Sequence, residues 1–179
     1  MLIELLRQPN RSGVTAQWAE SYPAGMQDLA LPLYSKKLIE NAGKILRRSD
    51  LQPGVFDDHY KMSTEDAFRI AHNWRSAHML PLLRVRQELS AKCRQFVGSK
   101  PLTAARLKRM QAIRRKLRRP FTLYQIQDIA GCRAILGSMA EVERMIEIYR
   151  NGESRYSINA EDDYISSPKW TAIEVTTLS

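Results

Sequence analysis

The sequence contains few of the residues that build disulfide frameworks, metal clips or membrane spans. Of its 179 residues only two are cysteine, Cys93 and Cys132, and three are histidine. Neither cysteine has a C-x-x-C or Cys/His spacing around it, so we expect two reduced thiols packed in the fold. No apolar stretch approaches the roughly 20 residues that a membrane helix needs, and the amino terminus shows no signal-peptide pattern. These absences predict a cytoplasmic protein without a membrane partner.

Acidic residues are almost missing from one segment. Residues 84–119 contain thirteen Lys or Arg and a single acid, Glu88, whereas the whole chain has a net charge of +9. The rest of the chain is therefore slightly acidic, and the basicity belongs to this segment alone. A solvated helix face explains such a run, and so does a partner that carries phosphate, either a nucleotide or RNA.

The patterns along the chain predict four regions: an amino-terminal arm over 1–34, a helical region over 35–100, a mixed region over 101–170 and a tail over 171–179. Apolar spacing predicts helices over 35–48, from Ser63 to Pro81, over 82–93 and over 103–117. An apolar run at 129–136 predicts a strand, and Ser138 with Glu141 predicts the start of a helix that ends at Asn151-Gly152. Further strands are expected at 156–158 and 163–165. The chain is thus expected to form an α+β fold preceded by helices.

Five residues in the mixed region could together bind a polyphosphate. Lys116 lies eight residues after Lys108, about two turns along the predicted helix, so both cations would share a face with Arg106 near its start. Asp128 stands at the entry of an apolar strand, where one carboxylate plus substrate phosphates would suit Mg²⁺. Arg133 lies inside that strand, where an unpaired charge is costly unless it has a function. In the alternative interpretation the cations face solvent, Asp128 caps a helix or pairs with Arg133, and Arg133 is exposed on the outer face of the strand.

Three segments, RLKRMQAIRRK at 106–116, DIAGCR at 128–133 and DYISSPK at 163–169, resemble the RelA/SpoT nucleotide pyrophosphokinases, the alarmone synthetases and their toxin relatives. Residues 106–116, RLKRMQAIRRK, are similar to the R-x-K…S-I-x-x-K element of that family. Residues 128–133, DIAGCR, are similar to its D-I-x-G-x-R element, and residues 163–169, DYISSPK, to its D-Y-I-x-x-P-K element. Upstream, residues 73–78, NWRSAH, resemble the N-W-R-S-x-H stretch of a subgroup that includes toxic small synthetases.

The resemblance implies a nucleotidyltransferase-like synthetase domain that transfers pyrophosphate from ATP to a ribose hydroxyl of an acceptor. It assigns Arg106 and Arg133 to the two sides of the adenine, and Lys108 and Lys116 to the phosphates. Asp128 corresponds to a Mg²⁺ ligand. Lys169 corresponds to a cation beside the phosphates of the acceptor. The acceptor would be GDP or GTP, or the 3′ end of tRNA, and an antitoxin is a further partner of the toxic relatives.

The resemblance stops after residue 169. The family continues with G-Y-R-x-x-H and later with E-x-Q-x-R, whereas this chain reads WTAIEVTTLS over 170–179. Residues 172–178 can be encoded so that one added nucleotide changes them to G-Y-R-G-D-H-L, which predicts a frameshifted tail. We therefore expect an incomplete sheet and little turnover. A basic module that binds nucleic acid or a protein without catalysis, and an inert fragment of a degraded gene, are the alternatives.

Overall fold

The computed structural model describes residues 31–96, 101–154 and Tyr156. The helices are α1 (Lys36–Leu46), α2 (Thr64–Ser76), α3 (Met79–Phe96), α4 (Met110–Leu117) and α5 (Met139–Arg150). The strands are β1 (Phe56–Asp57), β2 (Met62–Ser63), β3 (Leu102–Leu107) and β4 (Ala130–Ile135). Two 3₁₀ turns, Leu123–Gln125 and Gln127–Ile129, lie between α4 and β4. β1 pairs with β2 and β3 pairs with β4, both antiparallel, so the described part of the chain is a mixed α+β structure.

Side-chain caps fix where three of the predicted helices begin. The Ser35 hydroxyl accepts from the Leu38 N–H at the start of α1, and the Ser138 hydroxyl accepts from the Glu141 N–H at the start of α5. Ser63 and Asp66 form a reciprocal capping box at the start of α2. Each cap satisfies an N–H that the helix itself leaves without a partner, which stabilises a helix by about 1 kcal/mol. These starts were predicted from the sequence and are confirmed.

The break between α2 and α3 comes earlier than the sequence suggests. α2 ends at Ser76, and α3 begins at Met79, so Pro81 lies in the first turn of α3 and does not separate the helices. A proline is tolerated there because the first N–H groups of a helix have no partner within it. The residues predicted to be buried on the following helix are buried in α3: Leu82, Val85, Leu89 and Cys93.

The helix predicted over 103–117 is wrong in its first third. Residues Leu102–Leu107 form β3, which pairs with β4 from Leu102↔Ile135 to Leu107↔Ala130. Only the second part of the predicted helix is helical, as α4, with Ile113 and Leu117 fully buried. The physical reason is the partner strand, since β4 supplies backbone hydrogen bonds and an apolar face that helical spacing alone does not reveal.

The ladder of β3 and β4 has one covered face and one open face. Side chains of a strand alternate between faces, so Cys132 and Ala134 share one face and Arg133 and Ile135 the other. Cys132 and Ala134 pack against a cluster from α3 and α5 that includes Val85, Leu89 and Met145. On the opposite face Leu102 and Ile135 are more than half exposed. In the described residues this open face is therefore the accessible side of the ladder.

A second core fixes α4 against the amino-terminal helices. Its fully buried members include Ile39 and Leu46 of α1, Ala67 and Ala71 of α2, and Ile113 and Leu117 of α4. Burial of each large aliphatic side chain contributes about 1.5–3 kcal/mol, so α4 is firmly positioned by this cluster. The boundary predicted at residue 100 stays a prediction.

Parts of the predictions lie outside the described residues. These are most of the arm over 1–34, the strand at 156–158 apart from Tyr156, the strand at 163–165, the segment that contains Lys169, and the tail over 171–179. Within the described ranges, no helix combines the length and the apolar character needed to cross a membrane.

Candidate nucleotide site

Asp128 is the centre of a small charged cluster at one end of the β3–β4 ladder. Its carboxylate accepts a hydrogen bond from Lys108 Nζ at Oδ2 and one from Lys116 Nζ at Oδ1, both at 2.7 Å. Asp128 belongs to the second 3₁₀ turn but has φ −91° and ψ 29°, outside the helical region. This bend immediately precedes β4 and places the carboxylate beside the end of β3. Asp128 thus accepts hydrogen bonds from two lysines, and it neither caps a helix nor pairs with Arg133.

The two lysines come from different elements. Lys108 lies in the connection after β3, where its backbone N–H donates to the Ile129 carbonyl at 2.7 Å. Lys116 lies in the last turn of α4. The expectation that both occupy one face of one helix is therefore wrong, although the structure does bring their ammonium groups together. They converge because the chain bends after Lys108 and α4 runs back beside the turn that carries Asp128.

The cluster is partly shielded from water. The exposed fractions of the side chains are 20% for Lys108, 29% for Lys116 and 36% for Asp128. Burial opposes ionisation of Asp128, but the hydrogen bonds and charges of the two lysines outweigh it and hold the pKa of the carboxyl below its usual range. Asp128 is consequently ionised at neutral pH, and the three groups together carry one excess positive charge.

Arg106 and Arg133 lie on the open face of the ladder, in pairs that are two positions apart. Arg106 is opposite Gly131, and Arg133 is opposite Ala104, so the two arginines are diagonal neighbours. Diagonal positions of an antiparallel pair are about 7–8 Å apart. A flat ring between two planar groups needs about 7 Å, twice an atomic contact distance of about 3.5 Å. Both arginines are exposed, and a Cβ added to Gly131 would meet nothing within 4 Å.

On the open face the two arginines are accompanied by two small residues. These are Ala104 and Gly131, the pair partners of Arg133 and Arg106. A guanidinium plane stacks on aromatic rings, which a lysine cannot do in the same way. Arg106 is in the second-last pair of the ladder, next to the end where Lys108 and Asp128 lie. This arrangement suits a ligand with a flat ring at one end and a phosphate chain at the other.

The sequence interpretation missed a residue of the amino-terminal helices that contacts the site. Arg75 of α2 donates from Nε to the Lys108 carbonyl at 2.6 Å. Its segment, NWRSAH, was noted as a motif without a role for its arginine. The signal available in the sequence was a cation within an otherwise buried helix face, next to Trp74.

Asp128 is the carboxylate of this cluster that could contact a magnesium ion. Among the residues with a described position, no group of three or more His, Cys, Asp or Glu could hold a metal ion. Mg²⁺ needs no such group when the phosphates of a substrate supply most of its ligands. Each carboxylate oxygen has two acceptor sites, and the lysines use one on each, so Asp128 retains capacity for a cation. The residues fit a Mg²⁺ ion that arrives with phosphates and do not form a complete cage.

Neither a scan against models of protein families nor a search of curated proteins finds a match for this chain.

Proposed function

We propose that this chain carries the ATP-binding half of a RelA/SpoT-type pyrophosphokinase site. The observation that carries the proposal is the convergence of Lys108 and Lys116 on Asp128 at one end of the β3–β4 ladder, with Arg106 and Arg133 on its open face. Residues from two sequence motifs, 106–116 and 128–133, thus come together at this end of the ladder, with the first 3₁₀ turn between the motifs in the chain. The proposed fold is a nucleotidyltransferase-like synthetase domain, in which further strands would extend the β3–β4 ladder.

Each residue has a proposed role that follows from its chemistry. Arg106 and Arg133 hold the adenine between their guanidinium planes. Lys108 and Lys116 bind the phosphates, since an ammonium group is a compact charge with three donors. Asp128 holds Mg²⁺ together with those phosphates, and the ion would offset charge that develops during transfer. The protein's contribution is to position the phosphate chain and balance its charge.

The lysines have two possible anionic partners, and this determines how the site responds to a ligand. In the free protein both bind Asp128. A triphosphate carries more negative charge than one carboxylate, so it draws the ammonium groups away and leaves oxygens of Asp128 available to a cation. Binding of nucleotide and binding of Mg²⁺ are therefore expected to strengthen each other.

The proposal includes two classes of acceptor for the pyrophosphate. The reaction would transfer pyrophosphate to a ribose hydroxyl of GDP or GTP, or of the tRNA 3′ end, with Lys169 beside the acceptor's phosphates. These substrates agree with a cytoplasmic location, and an antitoxin is a proposed partner. Because Lys169 lies outside the described residues, binding of the donor nucleotide is the property to measure first.

Isothermal titration calorimetry of the full chain with ATP and with inorganic tripolyphosphate tests the proposal. Arg106→Gln and Arg133→Gln should each weaken ATP binding about tenfold and leave tripolyphosphate binding unchanged, since a guanidinium over a ring contributes about 0.5–2 kcal/mol. Lys116→Met should weaken the binding of both ATP and tripolyphosphate. Arg94→Gln is the matched control, because Arg94 is an exposed arginine of α3 outside the site. Equal loss of ATP and tripolyphosphate binding in the Arg106 and Arg133 variants would contradict the adenine assignment.

A basic nucleic-acid-binding module is the second candidate. Four arginines in and around α4 are exposed, and none of them forms a salt bridge within the described residues: Arg109, Arg115, Arg118 and Arg119. Such a surface would bind an RNA backbone with a steep dependence on salt. RNA binding that persists without Mg²⁺ and in Asp128→Ala, together with absent ATP binding, would favour this candidate.

A further inference from the structure

Arg75 connects the amino-terminal helices to the candidate site by one short contact. It lies in α2, thirty-three residues before Lys108, and donates from Nε to the Lys108 carbonyl at 2.6 Å. Arg75 is only partly exposed, and within the described residues it has no carboxylate partner. Partial removal of a guanidinium from water without a carboxylate partner costs free energy of folding. A task for Arg75 at the site would explain why an arginine stands at this position.

The backbone of Lys108 is held on both sides. Its N–H donates to the Ile129 carbonyl at 2.7 Å, and its carbonyl accepts from Arg75. The Ile129 bond ties Lys108 to the residue that follows Asp128. The Arg75 bond ties it to α2, whose buried face includes Trp74 and Ala71. The short connection between β3 and α4 is thereby fixed to two separate parts of the fold.

The surrounding motif makes Arg75 a rigid anchor. Trp74 is buried and stacks on Tyr124 with ring centroids 5.2 Å apart. The His78 ring contacts the Trp74 carbonyl through Nδ1 at 2.7 Å, and Asn73 holds the backbone of Leu31 and Leu33. These contacts hold the end of α2 against Tyr124 and against the segment that precedes α1. Because this end of α2 is held in place, the Arg75 side chain restrains the Lys108 carbonyl to which it donates.

We infer that Arg75 is a positioning residue that holds the Lys108 backbone so that its ammonium group can bind Asp128 or phosphate. The inference rests on the proposed function, because it uses phosphate binding as its readout. Arg75 acts through Lys108 and does not itself contact the phosphates. The NWRSAH segment thus gains a physical task at the site, through its arginine.

A double-mutant cycle in the full chain tests the inference, with tripolyphosphate binding measured by calorimetry. Arg75→Gln is expected to weaken binding roughly five- to tenfold, the effect of losing a charged hydrogen bond. In a Lys108→Met background the same change should alter affinity by less than about twofold, since Arg75 acts through Lys108. Arg69→Gln is the control, because Arg69 lies on the same helix, is 69% exposed and pairs with Asp66.

The outcomes separate the inference from the proposed function. Absence of tripolyphosphate binding by the unaltered chain overturns the proposed function. Binding by the unaltered chain with no loss in Arg75→Gln, or a loss that persists in full with Lys108→Met, overturns the inference alone. If Arg75→Gln loses cooperative thermal unfolding, Arg75→Lys enters the same cycle, because it keeps the charge and a donor.

Discussion

Replacement of Asp128 by alanine should strengthen the binding of metal-free phosphate and reduce the gain in ATP affinity that Mg²⁺ provides. In the folded chain Lys108 and Lys116 each donate to Asp128 at 2.7 Å. A phosphate that binds these lysines must compete with the carboxylate and is repelled by it. Without the carboxylate, metal-free tripolyphosphate should bind more tightly. Mg²⁺ should then strengthen ATP binding less than it does in the unaltered chain, because its protein ligand is gone.

The size of the effect follows from distance and exposure. Two unit charges about 6 Å apart interact with about 3 kcal/mol at an effective dielectric constant of about 20. The Asp128 side chain is 36% exposed, so solvent screening reduces this value, and we take about half of it. A change of about 1.4 kcal/mol corresponds to roughly tenfold tighter binding of tripolyphosphate.

Calorimetry with a metal chelator present measures the first affinity, and titration of ATP with and without Mg²⁺ measures the second. Asp58→Ala is the matched control, because Asp58 is 89% exposed and pairs with Lys61 at the surface. Unchanged or weaker binding of metal-free tripolyphosphate in Asp128→Ala would refute the reasoning, since it would mean that the lysines next to Asp128 do not receive the phosphates.

Three further variants test the fold and the charge balance. Gly43→Ala should lower the free energy of unfolding by about 1–3 kcal/mol, because its Cβ would lie 2.8 Å from Leu123 Cβ; urea denaturation measures this, and unchanged stability would contradict the packing. The folded pKa of Asp128 lies below its unfolded value, so its contribution to stability is full above roughly pH 5 and declines as pH falls through the folded pKa. Urea titrations from pH 7 to 3 should therefore show the stability advantage over Asp128→Asn shrinking with acid, and a constant difference would argue against the lysine pairs. Tyr149→Phe should leave stability within about 1 kcal/mol or raise it, because within the described residues the buried hydroxyl has no hydrogen-bond partner; a clear loss in a thermal melt would reveal one.

Local signals made a large part of the helical structure predictable. The caps at Ser35, Ser63 and Ser138 are formed by residues within four positions of each other, so the sequence contains both partners in one short window. The same holds for β4, whose short apolar run is followed at once by a helix start. Such features depend little on the rest of the chain.

The strand β3 could not be predicted in the same way. All six of its residues pair with β4, and the partner of Leu107 is Ala130, twenty-three positions away. Apolar spacing within 103–117 also fitted a helix, and its second part is one. The choice between the two structures is decided by a long-range partner, which a local pattern does not contain.

The candidate site also combines features that the local sequence indicates with features that depend on long-range contacts. The residue types at 106, 108, 116, 128 and 133 indicated phosphate and ring binding, and the structure gathers Lys108, Lys116 and Asp128 in one place. The reason given for the lysines was wrong, because their meeting depends on the bend after β3 and not on helical spacing. Arg75 had no local signal that linked it to Lys108, since that contact exists only after α2 and the β3–α4 connection have packed.

The pairing register of β3 and β4 has a consequence for how this sequence can change. Arg106 and Arg133 share a face only because Arg106 lies opposite Gly131 and Ala104 opposite Arg133. A shift by one position would send one arginine to the covered side of the ladder. A change elsewhere in the chain that moved β3 by one position against β4 would therefore separate the two side chains, while every recognisable motif stayed intact in the sequence. Motif matching would still report a nucleotide site in a chain that had lost the geometry to bind one.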